Sequence, residues 1–133
     1  MRQFHLEIVT PDGSVFNGMA ESVTVKTDTG DLEIMSGHSD YFAALATGRA
    51  RIFANGAERF ASASGGFVSV SKGEVKIAAT TFEYADQIDE ARAEAAIVKA
   101  RAELEKASDE RMIRMAKAKL ARATNRLYVA KLK

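Results

Sequence analysis

Every glycine and the single proline of this 133-residue chain lie at or before residue 73. From Asp86 to Lys133 the chain is instead dominated by Ala, Glu, Lys, Arg and Leu, the residues that hold a helix most cheaply. The punctuation of the first part forces frequent reversals, and its absence from the last part permits long uninterrupted helices. The chain therefore divides into two pieces with different periods, expected at residues 1–85 and 86–133.

In the first piece, Phe4, Leu6 and Ile8 alternate with His5, Glu7 and Val9, as in a half-buried strand. Thr10-Pro11-Asp12-Gly13 supplies a turn. Strand-like runs follow at residues 21–26, 32–35, 49–54, 58–62, 67–70 and 75–79. Turns are expected at Asp28–Asp31, Asn55-Gly56, Ser64-Gly65-Gly66 and Lys72-Gly73. Many short strands at this spacing predict an antiparallel β-sandwich or barrel.

In the second piece Asp86 is the expected N-cap, with Asp89 and Glu90 in the first turn. Ser108, followed by Asp109 and Glu110, starts a second helix. Ile113, Ala116, Leu120, Ala123, Leu127 and Ala130 form an apolar stripe on that helix, and Ile88, Ala91, Ala95, Val98 and Ala102 form one on the first. The fold class is thus α+β: an antiparallel sandwich followed by a two-helix antiparallel hairpin. Alanine buries little area, so the seam gains little hydrophobic energy. This leaves two readings open, an ordinary short hairpin or a detachable one.

Charge follows the same division. Residues 1–86 carry seven bases against eleven acids, whereas residues 87–133 carry twelve against seven. From Arg111 to Lys133 there are eight bases and no acid. Such a segment seeks an acidic partner or an anion, or is a solvated face. A nucleic-acid-binding basic helix is the alternative, but the second helix has Tyr128 as its one aromatic, and the β piece is acidic. No apolar run approaches the ~20 residues of a membrane span, and the first residues lack the apolar core of a signal peptide. Without cysteine there can be no disulfide or thiolate metal site.

Catalytic signatures are missing. His5 is expected to point outward from an edge strand. His38 lies in the loop Ser36–Asp40, where a Ser-His-Asp triad is disfavoured because sequence neighbours rarely have triad geometry. Ser64-Gly65-Gly66-Phe67 lacks the lysine and spacing of a phosphate loop. The convergent polar chemistry is in the hairpin, where Asp89, Arg92 and Lys99 fall on one side of the first helix, and Lys119, Arg122 and Arg126 on one side of the second. Facing each other, they could grip an anion, with arginine offering a planar fork and lysine a point charge. A solvated basic face is the other reading.

Several motifs, in order, carry a resemblance. Phe4-x-Leu6-x-Ile8-Val9-Thr10-Pro11-Asp12-Gly13, Gly30-Asp31-Leu32-Glu33-Ile34-Met35-Ser36-Gly37-His38, Ser64-Gly65-Gly66-Phe67, Ile88-Asp89-x-x-Arg92-Ala93 and Arg122-Ala123-x-Asn125-Arg126-Leu127 resemble the epsilon subunits of bacterial F-type ATP synthases. The resemblance implies a non-catalytic rotor-stalk subunit that binds the gamma subunit and the c-ring through its sandwich. It implies helices that restrain ATP hydrolysis by meeting the alpha and beta subunits, here through Arg111, Arg114, Lys117 and Lys119. It places the chain at the cytoplasmic face of the bacterial membrane, with neither nucleic-acid binding nor membrane insertion. No cofactor is required. ATP is implied as a regulatory ligand at Glu83, Ile88, Asp89, Arg92, Ala93, Lys99, Arg122 and Arg126, and Asp31 and His38 as c-ring contacts. Lys99 stands where ATP-binding members carry arginine, and Glu33 and Ser36 replace a family glycine and proline.

Overall fold

Phe4, Leu6 and Ile8 are buried and the residues between them are not, so the first strand has the expected alternation. The computed structural model describes residues 2–133. Its strands are β1 (Phe4–Thr10), β2 (Gly13–Ala20), β3 (Ser22–Thr27), β4 (Gly30–Met35), β5 (Tyr41–Ala44), β6 (Gly48–Ala54), β7 (Ala57–Ser71) and β8 (Glu74–Tyr84). A one-turn 3-10 helix (Ala85–Gln87) leads to α1 (Glu90–Lys106) and α2 (Glu110–Ala130).

Hydrogen bonding runs β2-β1-β8-β7-β6-β3-β4, with β5 attached to β7. β7 and β8 are long enough to serve both layers of the sandwich. Ala57–Ala63 of β7 pairs with β6, whereas Phe67–Val70 pairs with β5. Glu74–Ala78 of β8 also pairs with β1, and the rest of β8 continues along β7. Between the layers, Leu6, Ile8, Val68 and Ile77 meet Val23, Val25, Ile34 and Ile52 in one core.

Three details correct the sequence reading. The β1–β8 pairing is parallel, so the sandwich is antiparallel everywhere else but not at that seam. The segments of β2 and β5 are strands that the pattern did not reveal. β2 carries Gly18 and polar residues on an edge, and β5 has only four residues. Ser64-Gly65-Gly66 lies within β7 and is not a turn between strands. Gly65 and Gly66 have φ of 72° and 97°, and a Cβ on Gly66 would lie 1.8 Å from the Ala78 carbonyl oxygen. The glycine is needed for a close backbone approach inside a continuous strand.

Both helices begin later than expected. The Asp86 carboxylate is turned to the Arg59 guanidinium, 3.5 Å away, and Ile88 is extended and buried. Asp89 caps α1 instead, accepting from the Arg92 amide at 3.2 Å. Asp109, not Ser108, caps α2 by accepting from the Met112 amide at 2.8 Å. The seam on α2 is as read, with Ala116, Ala123 and Ala130 buried. On α1 the buried residues are Ala93, Ile97 and Ala100, while Ala91, Ala95 and Ala102 are exposed and Val98 is 67% exposed. Two stripes of the same period can be drawn on α1, and the one with the isoleucine faces the partner because it buries more area.

Candidate functional site

α2 lies against β7, β6 and the 3-10 turn, and the hairpin and sandwich enclose a cleft of about 550 Å³ lined on the sandwich side by β7, β8 and the end of β1. Its sandwich wall presents the short polar side chains of Thr10, Asp12, Ser62, Ser64, Thr80 and Thr81, together with Phe82 and Glu83. The helical wall contributes Lys99 and Glu103 from α1 with Lys119, Arg122 and Arg126 from α2. Steps of three and four on α2 place its three cations on one side, as the spacing predicts.

Two of these cations are already engaged. Arg126 donates from Nε and Nη2 to the two carboxylate oxygens of Glu83, at 2.7 and 3.2 Å. Lys119 donates to Glu103 at 3.2 Å. Among the described residues, neither Lys99 nor Arg122 is in an ion pair. An arriving anion thus meets two uncommitted cations and two that must first part from carboxylates.

The eight residues implied for ATP do not share one wall. Glu83, Lys99, Arg122 and Arg126 line the cleft. The other four sit at the entry to α1. Ile88 packs with Ala85, Val129, Ala130 and Phe60, Asp89 caps the helix, Arg92 is exposed and Ala93 is fully buried. Arg111, Arg114, Lys117 and Lys119 all lie in exposed positions of α2, although Lys119 also serves the cleft.

Polar contacts that the sequence did not disclose dock α2 on the sandwich. Asn125 donates from Nδ2 to Ser62 Oγ at 2.8 Å, and Arg49 donates to the Tyr128 hydroxyl at 3.5 Å. Arg49 also lies over the Phe60 ring, 5.5 Å from its centre. Near the 3-10 turn, Arg59 covers the Tyr84 ring at 3.5 Å. Burial raises the Tyr84 hydroxyl pKa, and the Arg59 charge opposes that rise. None of these partners is near its mate in sequence, so no spacing signal announced them.

A second surface is the outer face of the layer formed by β2, β1, β8, β7 and β5. Following the register, Asn17, Glu7, Lys76, Ser69 and Phe42 form one row across the five strands. The neighbouring row holds Val9, Ala78, Phe67 and Ala44. Phe42 is 67% exposed and stacks on Phe67 with ring centres 5.2 Å apart. This half of the face is apolar and solvent-facing, the kind of surface that marks a protein contact.

The two residues implied for the c-ring are apart. Asp31 lies near the start of β4 and lines a polar cleft with Asn125 and Tyr128. His38 follows the other end of β4, where its Nδ1 contacts the Ser39 carbonyl at 2.7 Å. His5 does not sit on an edge, because β1 lies between β2 and β8.

Comparison with known proteins decides the family. Residues 3–85 match the model described as the ATP synthase delta/epsilon chain beta-sandwich domain, and residues 86–131 match its long alpha-helix domain. The chain belongs to the ATP synthase delta/epsilon family. Its relatives in that family include an ATP synthase epsilon chain of Bacillus velezensis, 42% identical over 130 residues and covering 98% of each chain. An ATP synthase epsilon chain of Staphylococcus aureus is 41% identical over 134 residues, covering both chains fully. The fold matches a chain of the Euglena gracilis mitochondrial ATP synthase, at TM-score 0.83 and 23% identity, covering 98% of this chain and 82% of that one. It also matches a chain of the Tetrahymena thermophila mitochondrial ATP synthase central stalk and c-ring, at TM-score 0.67 and 16% identity, covering 97% of each. Among the described residues no helix is long and apolar enough to cross a membrane.

Proposed function

We propose that this chain is a non-catalytic central-stalk subunit whose helical hairpin restrains ATP hydrolysis by the assembled enzyme, at the cytoplasmic face of the membrane. One observation carries the reading. The hairpin rests over a floor rich in hydroxyl side chains, with Phe82 and Glu83 among them, and polar links tie it there, so α2 is the part of the chain best placed to detach. Among the described residues, the buried apolar cluster between hairpin and sandwich is small, formed by Val129 and Ala130 beside Ala85, Ile88 and Phe60.

The sandwich is the permanent part. Its Phe42–Phe67 face suits the gamma subunit, and of the two residues implied for the c-ring, His38 in the loop after β4 is the one away from the hairpin, whereas Asp31 at the other end of β4 shares a cleft with α2. The hairpin is the movable part. Once free, Arg111, Arg114 and Lys117 offer cations to acidic surfaces of the alpha and beta subunits, an attraction that salt weakens.

ATP is the regulatory ligand in this reading. Its phosphates would engage Lys99 and Arg122 directly, and Arg126 once Glu83 gives way. A ligand that binds only the docked hairpin favours that state by RT ln(1 + [L]/Kd), about 2.7 kcal/mol at a hundredfold excess over Kd. Removal of residues 111–133 tests the mechanism. The truncated complex should assemble normally, hydrolyse ATP faster and lose any lag at low ATP. Equal hydrolysis by truncated and full-length complexes at all ATP concentrations would reduce the chain to a structural stalk component. Calorimetric titration of the full chain with ATP tests the ligand, and no heat at millimolar ATP removes it.

A further inference from the structure

Among the described residues, His5 is the one histidine whose two ring nitrogens both meet side-chain oxygens. Across the parallel seam it faces its register partner Glu74, and Nδ1 lies 2.6 Å from Oε2. On the other side, Nε2 lies 2.7 Å from Asn17 Oδ1 on β2. The imidazole therefore ties three strands together on the outer face. β2 is an edge strand, hydrogen-bonded only to β1.

Both partner atoms are acceptors, so only the imidazolium can donate to both at once. The neutral ring keeps one N–H and presents a lone pair on the other nitrogen. If it keeps the proton facing Glu74, the Asn17 amide must reverse and donate from its nitrogen. The charges facing this group are Glu7 from its own strand, and Glu74 and Lys76 from β8. β2 contributes the uncharged Asn17 and Met19. Lys76 pairs with Glu7 at 3.8 Å. With His5 protonated the patch is electrically balanced, and with His5 neutral it carries one negative charge.

The patch is continuous with the aromatic face. Glu7 and Lys76 stand in the same row as Phe42, and Val9, two residues beyond Glu7, stands in the row of Phe67.

We propose that the His5–Glu74–Asn17 clamp makes this outer face a proton-responsive docking surface. Protonated, it holds edge strand β2 down and keeps the face neutral. Deprotonated, it can no longer donate to both partners, so the side-chain tie across to β2 loosens while the backbone ladder to β1 stays, and a negative charge is added beside the apolar platform. The bonds to Asn17 and Glu74 raise the His5 pKa above 6.5, and the Glu74 and Glu7 charges add to this. With the folded-state pKa raised, the clamp's contribution is complete below 6.5 and fades as pH rises through the folded-state midpoint. The proposal rests on the docking of gamma at this face.

Nuclear magnetic resonance titration of the full chain tests the clamp itself. The His5 ring should titrate above 6.5, and the Asn17 side-chain amide should shift with the same midpoint. Glu74→Gln and Asn17→Ala should each lower that midpoint. A ring midpoint unmoved by both variants, or an Asn17 amide blind to pH, overturns the proposal. Gamma binding is then measured between about pH 5.5 and 8, where histidine titrates. Affinity should change across this range in the wild type and stay flat in His5→Gln. Identical pH profiles for the two proteins overturn the coupling. A Phe42→Ser, Phe67→Ser double variant that binds gamma as well as wild type refutes the docking reading, and with it the coupling, whereas the resonance titration still decides the clamp.

Discussion

Replacing Arg126 with alanine should loosen the hairpin by an amount that the geometry sets. Arg126 makes two charge-assisted hydrogen bonds to Glu83, at 2.7 and 3.2 Å. Hydrogen bonds to charged groups are worth about 1.5–3 kcal/mol each. The two side chains are 27% and 35% exposed, however, and water screens a pair at that depth. A net coupling of about 1–2 kcal/mol remains, roughly a 5- to 30-fold shift between docked and undocked states. Hydrogen exchange of α2 amides in the full-length chain reads this directly, because undocking exposes the helix to fraying. Glu83→Gln should give a loss of similar size. The double variant should lose little more than either single one, since the second change removes a partner already gone. If the two losses simply add, or if Arg126→Ala exchanges like wild type, the ion pair does not hold the hairpin.

Three further outcomes are expected. Gly66→Ala should yield little folded protein in expression and circular dichroism, because its Cβ would lie 1.8 Å from the Ala78 oxygen. Ile97→Ala should cost the hairpin about 2–4 kcal/mol by thermal unfolding, whereas Val98→Ala should cost under about 0.5 kcal/mol; the opposite ranking would restore the other stripe. Phe42→Ser with Phe67→Ser should lower the melting temperature by no more than the loss of one aromatic pair, about 0.5–1.5 kcal/mol beyond the lost burial, keep the fold by circular dichroism and weaken gamma binding at least about tenfold in a pull-down titration, the size of effect seen for an aromatic anchor.

The two-part architecture could be read from the sequence because it rests on local signals. Glycine confined to one part and helix formers filling the other are properties of neighbours along the chain. The turns at Asn55-Gly56 and Lys72-Gly73 could be read for the same reason, although Lys72 adopts φ of 51° without being glycine or asparagine. What escaped depends on contacts between distant residues. Asp86 looks like an N-cap until Arg59, 27 positions earlier, takes its carboxylate. The α1 stripe could be drawn one position off because only the position of α2 distinguishes Ile97 from Val98. Gly65-Gly66 reads as a turn until the backbone of β8 is placed beside it. In the cleft, the spacing on α2 placed Lys119, Arg122 and Arg126 together. It could not show that Glu83 and Glu103 would claim two of them, nor that Asn125 would find Ser62 across 63 positions.

The continuity of β7 and β8 through both layers has a mechanical consequence. In a sandwich made of two separate sheets, shear is resisted by side chains sliding over one another in the core. Here two strands of 15 and 11 residues, joined edge to edge, belong to both sheets. Displacing one layer past the other must therefore stretch backbone and break hydrogen bonds, not merely repack methyl groups. Eight of the ten register pairs between these strands lie outside the tip Val70–Val75, where the hairpin closes. Torque applied to the aromatic face would reach the opposite layer through covalent chain, so the sandwich would turn as one stiff piece.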